Sequence, residues 1–259
     1  MRTSARSLTF AVALSLAIAG CASVPRDPAA QAEFRANHDP LEPFNRKIFA
    51  FNQVMDRILI KPIAKGYRRV LPEQAREVIR NFLDNLHEPV IFANSLLQTR
   101  FRSAGTTGLR FLLNSIAGPG GLSDVATEMG LKKQSGDFGQ TLAVWGASEG
   151  PYLIVPVFGP TNPRDGIGMG ADIYLDPVRT LLRGQSSATD ITVSRSFVDG
   201  IDQRARSIEP LDEIQHESID YYASFRSFFR QHRAAELKTG AAMPTPAQTP
   251  TDFYLDPGR

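Results

Sequence analysis

Apolar residues recur along this chain at helical spacing. Phe44, Ile48, Phe51, Met55, Ile58 and Leu59 fall on one side of a helical projection, and Asn45, Arg46, Asn52, Gln53, Asp56 and Arg57 on the other. That predicts an amphipathic helix ending before Pro62. Phe49 and Ile60 project opposite the main apolar stripe, which a helix wet on that side has little reason to carry. Ala75, Val78, Ile79, Phe82, Leu83 and Leu86 repeat the pattern behind Pro72, with a stop at Glu88-Pro89. Further helices are expected from Pro89 to Gln98, from Ser103 to about Ile116, over a short stretch capped by Ser123 and closed by Gly130, and over Asp137 to Trp145. Tyr152 to Val157 is β-branched but interrupted by Pro156, so it reads as extended chain or an edge hairpin. Helices resume after Pro163. A last one, from Pro210 to about Arg233, carries Leu211, Ile214, Tyr221, Tyr222, Phe225, Phe228 and Phe229. The expected fold is all-α, a bundle of short amphipathic helices with no internal repeat.

The two ends differ from this middle. Arg2 and Arg6 precede an uncharged apolar stretch from Leu8 to Ala19, too short for the roughly 20 residues of a membrane span and shaped like a cleavable signal. Ile18-Ala19-Gly20-Cys21 closes it and resembles a bacterial lipobox, with cleavage before Cys21 and acyl chains on that residue. An ordinary signal peptide with a chance cysteine is the alternative. Each buried CH₂ of an acyl chain contributes about 0.8 kcal/mol, so several chains on one residue anchor firmly. Residues 21–38 read as the acylated cysteine and a polar tether, 39–238 as one helical domain, and 239–259, with its prolines, as a disordered tail.

Composition narrows the function. Lys+Arg number 29 against 27 Asp+Glu; without residues 1–20, which carry Arg2 and Arg6 and no acid, the side chains balance. No long basic run is present, which argues against a nucleic-acid binder. Phe accounts for 16 residues against 6 Tyr and 1 Trp, pointing to an oily partner. The first helix, at 17 residues from Phe44 to Ile60, holds too many polar groups to cross a bilayer but suits an interface; the commoner alternative is a stripe that packs a water-soluble core.

Three strings suggest chemistry. Asp137-Phe138-Gly139 spells the kinase magnesium motif without its companions, and Gly166-x-Gly168-x-Gly170 has the wrong spacing and context for a dinucleotide fingerprint. Gly146-Ala147-Ser148-Glu149-Gly150 matches G-x-S-x-G, but a nucleophile elbow needs a strand before the serine and a helix after it, and Pro151 follows instead. His216 and His232 lie downstream on a charged helix side and read as surface histidines. The four histidines form no H-x-x-x-H pair, so neither a metal site nor a cofactor site is expected. The chain is read as a non-enzyme.

A longer series of strings is specific in combination and order. It opens with Asp39-Pro40-Leu41-Glu42-Pro43-Phe44-Asn45-Arg46 and Phe51-Asn52. It continues through Asn81-Phe82-x-x-Asn85-Leu86-x-Glu88-Pro89, Asn94-x-x-Leu97-Gln98, Arg110-Phe111-x-x-Asn114-Ser115 and Gly121-Leu122-x-Asp124-Val125-Ala126. Asp137-Phe138-Gly139-Gln140-Thr141-Leu142, Gly150-Pro151-Tyr152-Leu153-x-x-Pro156-x-x-Gly159-Pro160 and Arg164-Asp165 complete it, and together the strings resemble the VacJ/MlaA family of outer-membrane lipoproteins. The resemblance implies a ring of amphipathic helices set in the inner leaflet of the outer membrane from the periplasmic side, around a polar pore. It further implies association with a porin trimer, removal of phospholipids misplaced in the outer leaflet, and their transfer to a periplasmic lipid-carrier protein. Ala22, rather than Asp, after the cysteine agrees with outer-membrane sorting in enteric lipoproteins of this kind. The family's mobile loop maps onto Gly146 to Gly150, with Gly146 and Gly150 as hinges and Ser148 where many members carry Gly. Asn45, Arg46 and Asn52 are placed near the pore or at a structural centre, the alternative for Asn45 and Arg46 being to cap and salt-bridge the first turn. A scaffolding lipoprotein and, further off, a lipid hydrolase using Ser148 are the competing functions.

Overall fold

The computed structural model describes residues 39–239 apart from 183, 186 and 187. Cys21, the signal, the tether and the tail beyond Thr239 lie outside the described residues. Helices run in the order α1 (Glu42–Met55), α2 (Lys61–Val70), α3 (Glu73–Leu97), α4 (Phe101–Ile116), α5 (Val125–Glu128) and α6 (Phe138–Val144). A two-stranded antiparallel hairpin follows, β1 (Leu153–Val155) and β2 (Gly159–Thr161), with Ile154 opposite Pro160. Then come α7 (Pro163–Leu175), α8 (Pro177–Leu181), α9 (Ala188–Arg206), α10 (Ile208–Glu217) and α11 (Tyr221–Thr239). The fold is all-α, and Pro156 falls in the hairpin turn rather than in a strand.

Prolines do not end helices where the sequence predicts. α1 continues into α2 through a π turn at Asp56–Ile60, and Pro62 sits in the first turn of α2. The widened turn shifts the hydrogen-bond register where Pro62 lacks an N–H and where its ring would strike the preceding carbonyl. Pro89 lies inside α3, which runs unbroken for 25 residues instead of as two short helices. An internal proline costs about 3 kcal/mol. Burial of Asn85, Glu88, Val90 and Asn94 on both sides of it holds the backbone in place. The expected Pro210–Arg233 helix instead divides at Ser218–Asp220. There the Ser218 hydroxyl bonds back to the Ile214 carbonyl at 2.5 Å and Asp220 caps Ala223. The cap of α5 is Asp124, not Ser123, its carboxylate accepting from the Thr127 amide. Asp137, Asn162 and Asp176 cap α6, α7 and α8 in the same way.

Burial is inverted relative to a water-soluble bundle. Asn45, Asn94, Thr107, Arg110, Gln140 and Thr141 are sealed from solvent, while Phe44, Phe51, Ile58, Phe101, Leu112, Ile116 and Tyr174 lie open. Along α1 the exposed stripe is Phe44, Phe51 and Val54, and the buried residues are Asn45 and Phe49. Phe49, out of place in the helical projection, packs on Tyr221, Tyr222 and Phe225 with ring centroids 5.3 to 5.5 Å apart. Tyr152 and Ile154 of the hairpin complete this aromatic core. A second, smaller core joins Ala64 of α2 to Ala205 and Ile208. Among the described residues no helix is long and apolar enough to cross a membrane.

Candidate functional site

Two arginines organise the polar interior. Arg110 of α4 is 1% exposed; its Nε donates to Glu88 Oε1 at 2.8 Å and its Nη2 to both Asp124 oxygens at 3.0 and 3.1 Å. Its Nη1 donates to Thr127 Oγ1 and to the Leu131 carbonyl, so one guanidinium ties α3, α4, α5 and the segment after α5 together. Asn114 reinforces the same point, donating to Asp124 and accepting from the Ala126 amide. Burial works against the Asp124 carboxylate. Hydrogen bonds from Thr127 and Asn114, and the charges of Arg110 and Lys133, outweigh it and hold Asp124 down to about 2. For Glu88 the balance reverses: burial dominates over Arg110 and raises the carboxyl.

Arg233 of α11 does the same at the other end. Its guanidinium grips Asp165 on two arms at 2.9 Å and Asp137 at 2.6 and 2.7 Å, and also reaches Glu236 at 3.0 Å. Asp137 and Asp165 stand at the starts of α6 and α7, so the last helix is locked to two helix N-termini at once. Gly139 and Gly168 make this possible. A Cβ on Gly139 would sit 2.5 Å from Asp165 Oδ1, and one on Gly168 would sit 2.3 Å from the Gly139 nitrogen. The strings Asp137-Phe138-Gly139 and Gly166-x-Gly168-x-Gly170 therefore meet in one helix crossing.

Two acids, on α7 and α9, are raised by burial with further acids adding to the rise. Asp172 of α7 accepts from the Asn94 side chain at 2.8 Å and the Phe138 amide at 3.0 Å, yet burial raises its carboxyl, with Asp137 adding to the rise and His87 opposing it. Asp199 of α9 is reached by solvent, yet burial also raises it; Asp84 and Asp202 push the same way, and His87 and Arg206 push back. Asp202 itself is paired with Arg80 at 3.2 Å and Arg206 at 2.9 Å. His87 of α3 thus acts on both Asp172 of α7 and Asp199 of α9, with Asp84 acting on Asp199; His87 and Asp199 are exposed, and Asp84 and Asp172 half-buried.

Asn45 and Asn52 occupy one face of α1 two turns apart, and both bind the hairpin. Asn45 Nδ2 donates to the Tyr152 carbonyl at 2.9 Å and its Oδ1 accepts from the Ile154 amide at 3.0 Å. Asn52 repeats this with the Val155 carbonyl at 3.0 Å and the Val157 amide at 2.8 Å. Arg46 bonds Glu42 at 2.8 Å, forks onto Asp220 at the start of α11 and lies 4.5 Å from the Tyr222 ring centre. All three residues act as braces between α1 and the hairpin or α11. Gly146, with φ +92°, closes α6: its amide bonds to the Ala143 carbonyl and that of Ala147 to the Leu142 carbonyl. Gly150, with φ +73°, lies against Pro163. The segment between them is exposed.

Ser148 is preceded by a helix and followed by a hairpin strand, the wrong context for a nucleophile elbow, and no hydrogen bond joins it to His216 or His232. The cavity between this loop, Tyr152 and α11 has a volume of about 60 Å³, against about 300 Å³ or more for a small-molecule site. Among the described residues no group of three or more His, Cys, Asp and Glu is placed to hold a metal ion. Arg110 and Arg233 received no role from the sequence. Arg110 stands within a quoted string, but nothing in the aromatic stripe of α11 marks Arg233.

The family profile described as MlaA lipoprotein matches residues 37–236. The intermembrane phospholipid transport system lipoprotein MlaA of Escherichia coli K12 is 34% identical over 220 residues, covering 83% of this chain and 82% of that protein. An uncharacterised Rickettsia bellii protein is 35% identical over 204 residues, covering 79% of this chain and 78% of that one. A solved structure from work on the structural basis for maintenance of bacterial outer membrane lipid asymmetry superposes with a TM-score of 0.68 at 34% identity, covering 78% of this chain and all of that one. With oily residues outside, polar ones inside and a profile match across the whole helical region, the chain belongs to the MlaA lipoprotein family.

Proposed function

We propose that this chain is a lipoprotein of the outer membrane that takes mislocalised phospholipids from the outer leaflet through a polar interior and passes them to a periplasmic carrier. It has no catalytic step of its own. The observation that carries the reading is the inverted burial: open apolar side chains suit acyl chains, and the polar side of the helices, with Asn94, Thr107, Gln140 and Thr141 turned away from that oily face, suits a headgroup. Moving a charged headgroup through hydrocarbon is costly because an unpaired charge loses its hydration. A wet polar passage removes most of that cost while the acyl chains stay in oil.

In this reading Cys21 carries the anchor, residues 22–38 tether it, and 39–238 form a ring embedded from the periplasmic side. A porin trimer and a periplasmic lipid-carrier protein are the partners, and Gly146 and Gly150 bound a loop that moves beside the passage. The test is to remove the protein from cells and measure phospholipid in the outer leaflet. Accumulation is expected, whereas a scaffold would leave the leaflet unchanged. Ser148→Ala is expected to restore the leaflet fully on re-expression; failure to do so with an intact fold would favour the hydrolase.

A further inference from the structure

Among the described residues, part of the positive charge on the π turn and α2 has no acidic partner. Lys61 and Arg68 pair with Asp212 and Glu209 of α10 at 2.6 and 2.5 Å. Among the described residues, no carboxylate lies within ion-pair distance of Lys65, Arg69 or the exposed Arg57.

Position around the helix explains the difference. At about 100° per residue from Lys61, Ala64 and Tyr67 turn inward, Ala64 fully buried and Tyr67 donating to Asp202. Arg68 lies beside Lys61 and shares its view of α10. Lys65 and Arg69 follow at roughly 40° and 80°. Pro62, Gly66, Val70 and Ile63 fill roughly 100° to 200°, with Val70 77% exposed. The π turn extends this open apolar band through Ile58 and Leu59. α2 is therefore divided lengthwise into a packed face, a cationic edge and an oily face, in that order.

We infer that α2 lies along the membrane–water boundary and that Lys65 and Arg69 bind the phosphates of anionic phospholipids. Charge complementarity carries the assignment. An oily face can be satisfied by any hydrocarbon, but an unpaired cationic row along its border needs an anionic layer at the depth where the hydrocarbon ends, and a phospholipid leaflet supplies both. Long side chains reach up from the oily side to that layer, each cation contributing about 1 kcal/mol near an anionic surface, a factor of about five in affinity. The inference rests on the embedded reading above and adds a lipid class and a helix to it.

The test uses the full acylated chain in phosphatidylcholine vesicles, with spin-labelled phosphatidylglycerol or spin-labelled phosphatidylcholine as probe and the motionally restricted fraction as readout. Phosphatidylglycerol should be preferred at low salt, and the preference should vanish at high salt. It should also vanish in Lys65→Gln/Arg69→Gln, while the restricted phosphatidylcholine stays as before. The charge-preserving Lys65→Arg/Arg69→Lys chain should keep it. A preference unchanged in the neutral variant, or lost in the charge-preserving one, overturns the inference and leaves the embedding intact. So does a neutral variant that keeps the preference but no longer co-purifies with a trimeric outer-membrane protein, which would assign the cationic edge to that partner. Absence of any restricted lipid, labelled either way, would instead overturn the embedded reading itself.

Discussion

Arg233 and Asp165 face each other across the start of α7 in a two-point fork, both arms 2.9 Å long, while the same guanidinium holds Asp137. The pair closes the chain by fixing its last helix to two helices laid down some seventy to a hundred residues earlier.

Lysine cannot reproduce this geometry, because a single ammonium cannot present parallel donors to two carboxylates. Arg233→Met should cost about 3 kcal/mol, because Asp137 loses its cation and Asp165 keeps only Arg164, and Arg233→Lys should recover only part of it. Thermal unfolding in detergent checks the order: native above Lys above Met.

The crossing of α6 and α7 separates glycines by consequence. Gly139→Ala and Gly168→Ala should each lower the midpoint sharply, since the new methyl meets Asp165 and Arg233 in one case and α6 backbone in the other. Gly166→Ala and Gly170→Ala meet nothing within 4 Å and should stabilise α7 by up to about 1 kcal/mol. Unfolding of the four variants side by side measures the split.

The two acids of Arg110 respond oppositely to pH. Asp124 is held down at about 2, so its contribution, about 2 kcal/mol, is complete above the ordinary carboxylate range near 4 and lost as pH falls through 2. Glu88 is raised by burial, so its protonation on acidification favours the fold. Asp124→Asn should therefore destabilise at pH 7 and flatten the acid limb of the stability curve. Glu88→Gln should cost less at pH 7 and remove the opposing contribution. Unfolding free energies from pH 7 down to pH 2 test the signs.

Asn45 is fully buried and gives both halves of its amide to hairpin backbone. Asn45→Leu keeps the branched shape and strands the Tyr152 carbonyl and the Ile154 amide, at about 1–3 kcal/mol. Hydrogen exchange at Ile154 should accelerate by one to two orders of magnitude, roughly the factor those energies give. Asn52→Leu should act more weakly, because its site is partly open.

Most of this architecture was legible from periodicity. Helical spacing located α1, α4, α6 and the aromatic face of α11, and Pro156 correctly argued against a central strand. Local rules failed where tertiary contacts outweighed them: Pro89 inside α3, Pro62 behind a π turn, and the break at Ser218, whose hydroxyl competes for a backbone carbonyl. Periodicity also could not say which face of α1 points inward. Asn45 and Phe49 go in together because the hairpin offers Asn45 a backbone partner and α11 offers Phe49 three rings. The interior network escaped for a related reason. Arg233 and its acids lie 68 and 96 residues apart, and no spacing rule reaches that far.

The exposed loop after α6 is pinned at both ends. On one side the helix cap at Gly146 and the Trp145 indole, which donates to the Leu97 carbonyl, fix its origin. On the other, Asn45 holds Tyr152. Only Ser148 to Pro151 are left to swing, a span of at most about 14 Å when fully stretched. Any movement there is a short arc about two fixed posts, so in the proposed function the loop would tilt beside the passage and not travel with a lipid.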